Sequence, residues 1–119
     1  MENKITLNGQ EYEIVLTTRA AKDISKKYGG LDKLGDAFAK DLINAMIFLT
    51  HVLVNQAIMR RNFQNPDDRK PLVTMEEIEL FTDTNDLTAY LPVFNRVMAN
   101  DAKEKIKTED SEKNVMTAP

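Results

Sequence analysis

His51 is the sole histidine of the chain, and there is no cysteine to accompany it. An imidazole can serve as a general base or a metal ligand, but either role needs convergent partner groups. Zinc would have to draw almost every ligand from carboxylates, which is unusual. His51 also lies inside Leu42–Met59, an apolar run without a formally charged residue, so it reads as a core or interface histidine. Asp83, Asn85 and Asp86 resemble the start of a calcium loop, but the sixth position is Thr88 instead of glycine and the twelfth is Phe94 instead of glutamate. They read as turn residues flanking a helix. No phosphate-binding glycine motif occurs, and Gly29-Gly30 alone cradles nothing. The expectation is a protein that is no enzyme and takes no cofactor or metal.

Charge is unevenly placed along the chain. Arg60, Arg61, Arg69 and Lys70 stand against Asp67 and Asp68, whereas Glu76, Glu77, Glu79, Asp83 and Asp86 have no basic residue among them. A nucleic-acid binder works by neutralising phosphates, and a net charge of −3 argues against that in general. The default reading of both clusters is solvated helix ends or attraction between neighbouring segments. Arg19 is placed in the first turn of an expected helix, where the helix dipole disfavours a cation, so it points to water or to a partner carboxylate.

These residues must be positioned by a small number of elements. Ile5 and Leu7, then Tyr12, Ile14 and Leu16, alternate as half-buried strands do, and Asn8-Gly9 supplies the turn between them. Thr17 or Thr18 caps a helix over Arg19–Tyr28, with Ala20, Ala21, Ile24 and Tyr28 as its stripe and Gly29-Gly30 as its stop. A long helix is expected from Leu34 to Asn62, with a possible break near Gly35. Its middle is long enough to span a bilayer, but Asn44, Thr50, His51, Asn55 and Gln56 interrupt it, and a buried central helix is the better reading. Gln64–Val73 reads as a loop, and Thr74 with Glu77 as a capping box that Val73 and Ile78 staple. The last helix is expected to start at Pro92 and to bury Val93, Phe94, Val97, Met98 and Ala102.

The 119 residues, 42% of them hydrophobic, suffice for one core. The expected architecture is α+β, mainly α: an N-terminal β-hairpin packed on a small helical bundle with one long central apolar helix. The domain is expected over residues 1–104, followed by a disordered, charge-mixed tail over 105–119. The start MENKITL has no basic-then-apolar layout, which points to a soluble intracellular protein.

In this order of elements, Asn8-Gly9-x-x-Tyr12, Lys26-Lys27-Tyr28-Gly29-Gly30, and Leu31-x-x-Leu34-x-x-Ala37-Phe38 follow one another at set spacing. The chain thereby resembles the tail assembly chaperones of long-tailed, non-contractile bacteriophages and prophages, especially those of Gram-positive hosts. The resemblance covers Lys4 to Phe38, extends loosely through the long helix and fades beyond Asn65. It implies a chaperone in the host cytoplasm that binds the tape measure protein, keeps it soluble and helps bring tail tube protein to it. Such proteins are not expected in the finished tail, and many also exist in a longer, frameshifted form. The resemblance implies no catalytic residues, no nucleic acid and no membrane.

A chaperone for helices needs an apolar groove or a self-associating surface, and flexible, polarizable methionine suits that task. Met46, Phe48, Met59, Phe63, Phe81, Phe94 and Met98 are the candidate partner-binding residues, with Met75 beside them, and ordinary core packing is the alternative for each. The apolar surface of the central helix also suggests a homo-oligomer. Two other functions stay open: a small structural or adaptor component at the head–tail connection of the virion, and a helical regulator binding nucleic acid through Arg60, Arg61, Arg69 and Lys70.

Overall fold

The structure, a computed structural model, describes residues 3–99. Strands β1 (Lys4–Leu7) and β2 (Gln10–Glu13) pair antiparallel, Ile5 opposite Tyr12 and Leu7 opposite Gln10. Asn8 and Gly9 between them have φ of 52° and 75°, the two positive angles that a type I′ turn requires. Helices α1 (Thr18–Tyr28), α2 (Leu34–Lys40), α3 (Leu42–Gln64) and α4 (Met75–Phe81) follow, with a 3₁₀ turn at Leu31–Lys33 ahead of α2. A fifth helix, α5, occupies residues 84–99. The protein is therefore α+β and mainly α, with the hairpin set on a helical bundle built around one long apolar helix.

Local chemistry explains most of the boundaries. Thr17 is the N-cap of α1, its hydroxyl oxygen accepting from the Ala20 N–H at 3.0 Å. Gly29, at φ 86°, closes that helix by donating to the Ser25 carbonyl at 2.8 Å. Thr74 caps α4 by accepting from the Glu77 N–H at 3.0 Å, and Val73 and Ile78 are both buried, as a hydrophobic staple requires.

Two expected boundaries are overturned. The long helix does not run from Leu34, nor does it break at Gly35, which lies within α2; the break is at Asp41. Asp41 leaves the helical region at φ −156° and ψ 81°, and its carboxylate accepts from the Asn44 backbone N–H and side-chain amide at 3.1 and 2.6 Å. An aspartate with a free-facing helix start beside it competes for those donors and ends the preceding helix. The last helix likewise starts at residue 84 and not at Pro92. Asp83 and Asp86 cap each other reciprocally: each backbone N–H donates to the other's carboxylate, at 3.0 and 2.8 Å. Pro92 therefore sits inside α5, at an exposed position, where it forgoes the bond to the exposed Thr88. Ala102 and the tail expected over 105–119 lie outside the described residues.

The polar residues of α3 explain how so apolar a helix fixes its neighbours. The Thr17 hydroxyl donates to Gln56 Oε1 at 3.0 Å, tying the start of α1 to the axis of the bundle. Thr50 bonds back to the Met46 carbonyl at 2.7 Å. Asn55 and Asn62 each clamp the backbone of the returning chain. Asn55 donates to the Val73 carbonyl and accepts from the Val73 N–H, both at 2.8 Å. Asn62 treats Lys70 the same way, at 2.9 and 2.8 Å. Seven helical residues separate the two asparagines, a rise of about 10.5 Å on nearly the same face. Three residues separate their targets, so the chain from Lys70 to Val73 must be almost fully extended to span that distance.

The hairpin is held from two sides. The Val15 N–H reaches the Leu53 carbonyl of α3 at 3.4 Å. From α5, the Tyr90 hydroxyl donates to the Thr6 carbonyl at 2.5 Å, and Arg96 Nε to Asn3 Oδ1 at 3.3 Å. Burial, then the carboxylates of Asp86 and Asp83, holds the Tyr90 phenol above its ordinary value, so it stays a donor. Ile5, Leu7 and Ile14 join Met46, Leu49, Leu53, Ile78 and Phe94 in one core.

The clamps give a direct test. Asn55→Ala leaves two buried backbone groups of Val73 unpaired and is expected to cost about 3 kcal/mol, whereas Asn62→Ala, at an exposed clamp, costs under about 1 kcal/mol. Urea unfolding of the two variants checks both the size and the order.

Candidate interaction surface

Among the described residues no cluster of three or more metal-ligating side chains occurs, and His51 has no acid–base partner within hydrogen-bond distance. What the fold does present is apolar surface. Phe63 is 88% exposed, Leu80 70% and Phe81 51%, and Leu72 and Met75 are also open to solvent.

The candidate residues divide by location. Met46 and Phe94 are fully enclosed in the core, and a partner could reach neither without repacking it. Phe48 and Met98 are half-buried against the same core, the Phe48 ring standing edge-on to Tyr28 with centroids 5.6 Å apart. Lys27 Nζ lies 5.1 Å from the centre of the Phe48 ring. Met59 and Phe63 come together: they are one turn apart on α3 and line a shallow groove of about 620 Å³ beside Leu16 and the start of α1. Phe81 lies apart from them, on α4.

A second groove, of about 380 Å³, adjoins the first and shares Met59 and Gln56 with it. It is also lined by Leu72, Val73 and Met75, which the Asn55 clamp holds against α3, and by Asp23 and His51. This groove brings two methionines and a leucine to one apolar face, a geometry suited to an amphipathic helix. Leu72 and Leu80 were not singled out by the sequence pattern. Leu72 follows a proline in a loop, and Leu80 shares no periodic stripe with a buried residue.

The basic cluster is partly spent within the chain. Arg61 donates to the Asp68 carboxylate and to its carbonyl, each at 2.6 Å, and Lys70 Nζ is 3.6 Å from the same carboxylate. The hydrogen bond from Arg61, then the charge of Lys70, holds the Asp68 carboxyl below its ordinary value. Among the described residues α3 alone is long and apolar enough to cross a membrane, with a mean hydropathy of 1.6, and half of that stretch is buried inside the protein.

No family model, no curated protein and no solved structure matches this chain.

Burial holds His51 below its ordinary value of 6.5, because imidazolium is penalised in the apolar wall. The unfolded chain therefore takes up this proton first, and acidification below about pH 6.5 favours unfolding until the folded form also protonates. The urea midpoint is expected to fall between about pH 7.5 and 5.5, and His51→Gln to flatten that fall. The shift at Asp68 acts only at lower pH, so it does not intrude on this window.

Proposed function

We propose that this protein is a tail assembly chaperone of a long-tailed, non-contractile phage or prophage, acting in the host cytoplasm without catalysis. Its client is the tape measure protein, a very long helical chain whose apolar stripes would aggregate if left uncovered. The groove bounded by Met59, Leu72 and Met75 carries the reading, because it offers a helix an adaptable apolar face on a rigid axis. The sequence resemblance over Lys4–Phe38 supports the same reading independently. Tail tube protein is recruited to the covered client, and the chaperone leaves before the tail is complete.

The mechanism is equilibrium protection. A client helix lays its apolar stripe against Met59 and Met75, whose unbranched side chains adjust to successive, non-identical turns. Affinity per site need only be modest, because a long client offers many such turns.

Co-expression with the tape measure protein of the same genome tests this. The wild-type chain is expected to keep the client soluble and to co-purify with it. Met59→Glu combined with Met75→Glu puts charge at the centre of the groove and should weaken the complex by about thirtyfold or more, with circular dichroism unchanged. An insoluble client and no recovered complex with the wild-type chain overturn the proposal. Mass spectrometry of purified particles should lack this chain; its presence there favours a structural component of the virion.

A further inference from the structure

Backbone pairing in the hairpin leaves one edge open. The Ile14 N–H donates to the Asn3 carbonyl at 2.9 Å, and bonded pairs alternate from there through Ile5–Tyr12 to Leu7–Gln10. The N–H and C=O groups of Glu11 and Glu13 therefore point away from β1. On β1 the matching outward carbonyl, that of Thr6, is taken by Tyr90. No described residue bonds to the outward groups of Glu11 or Glu13, and neither carboxylate makes an ion pair with one. A groove of about 600 Å³ runs beside this edge, with Tyr12, Ala57, Ile58 and Pro71 as its apolar lining. Arg61 and Lys70 line it too, but their charges are already turned to Asp68. The edge thus offers unpaired backbone, two uncompensated carboxylates on one face and an apolar slot on the other.

The complementary pattern is on the same chain. Residues 100–119 follow α5, and among them Lys105-Ile106-Lys107-Thr108 alternates a basic with an uncharged residue at the period of a strand. The end of α5 lies beside the start of the hairpin, where Arg96 Nε donates to Asn3 Oδ1 at 3.3 Å. Two strand spacings, about 10 Å, separate Asn3 from a strand added to β2. Residues 100–104 can reach up to about 17 Å, enough to cross. A chain arriving there meets the Glu13 end of β2 first, so it runs antiparallel to it.

We propose that Lys105–Thr108 adds to the free edge of β2 as a third, antiparallel strand of the same chain. Lys105 stands opposite Glu13 and Lys107 opposite Glu11, each pair exchanging backbone hydrogen bonds and meeting through opposite charges. Ile106, opposite Tyr12, turns to the other face and fills the slot over Ala57 and Ile58. A two-stranded hairpin becomes a three-stranded sheet, and the chain closes by itself the edge that a foreign strand could otherwise pair with. The inference concerns the chain alone and goes beyond its action on any client.

Amide hydrogen exchange of the full chain, read residue by residue by NMR, tests it. The Glu11 and Glu13 amides are expected to exchange at least about tenfold more slowly in the wild type than in Ile106→Asp, with the Ile14 amide unchanged as a control on the fold. Lys105→Glu with Lys107→Glu should also abolish the protection, and adding Glu11→Lys with Glu13→Lys to that variant should restore it. The protection should be the same at about 10 and 500 µM, because a tethered segment acts at a far higher effective concentration. Unprotected Glu11 and Glu13 amides in the wild type overturn the proposal. Protection that survives Ile106→Asp, or a fourfold variant that stays unprotected, overturns it equally. Protection that grows with protein concentration overturns it as well, because the strand then comes from another copy.

Discussion

The fold depends on a buried side-chain amide that bonds to both sides of one backbone residue. Asn55 lies in the buried middle of α3, and its two bonds to Val73 convert a polar cost into a fixed address. An unpaired amide there would be expensive, so the returning chain has one register against the helix. Asn62 repeats the contact a heptad later on Lys70, and the match between helical rise and extended reach leaves no slack between them. Everything after the loop inherits that placement: Val73 enters the core, Thr74 caps α4, and the Leu72–Met75 wall stands opposite Met59.

The same economy governs the hairpin. Two strands alone are marginal in water, and an exposed edge invites pairing with another chain. Here the outward Thr6 carbonyl of β1 is taken by Tyr90, a contact that spans nearly the whole described chain. The other edge presents Glu11 and Glu13, both exposed. Antiparallel pairing of two such edges would set carboxylates against each other, which disfavours growth of the sheet by self-addition. The hairpin is thus anchored through its apolar face and one edge and guarded by charge at the other.

Features set by neighbouring residues were legible in the sequence. The Asn8-Gly9 turn, the caps at Thr17 and Thr74 and the glycine stop at Gly29 each follow from two or three adjacent side chains. The misplaced boundaries came from local signals in competition. Asp41 falls inside the expected long helix and carries no separate stop signal, and Pro92 has the form of a first-turn residue although Asp83 and Asp86 already supply a cap. The clamps were illegible because they join a side chain to backbone 18 residues away, and nothing in the composition of Asn55 says which carbonyl it will meet. Met59 and Phe63 lie four residues apart on α3 and line one groove. The pattern alone does not tell Met59 from Met46, because a helix packed on most of its faces has core residues at every phase.

That packing also shapes how the two grooves work together. They are neighbours on α3 and share Met59 and Gln56, so a side chain that moves to admit one occupant changes the wall seen by the other. Gln56 is also the partner of the Thr17 hydroxyl, which sets the start of α1 and with it the position of Arg19. Occupancy of one groove is therefore linked to the other through one adaptable methionine and one hydrogen-bonded amide. Linkage of this kind is reciprocal: whatever factor an occupant of one groove applies to affinity at the other is returned in equal measure.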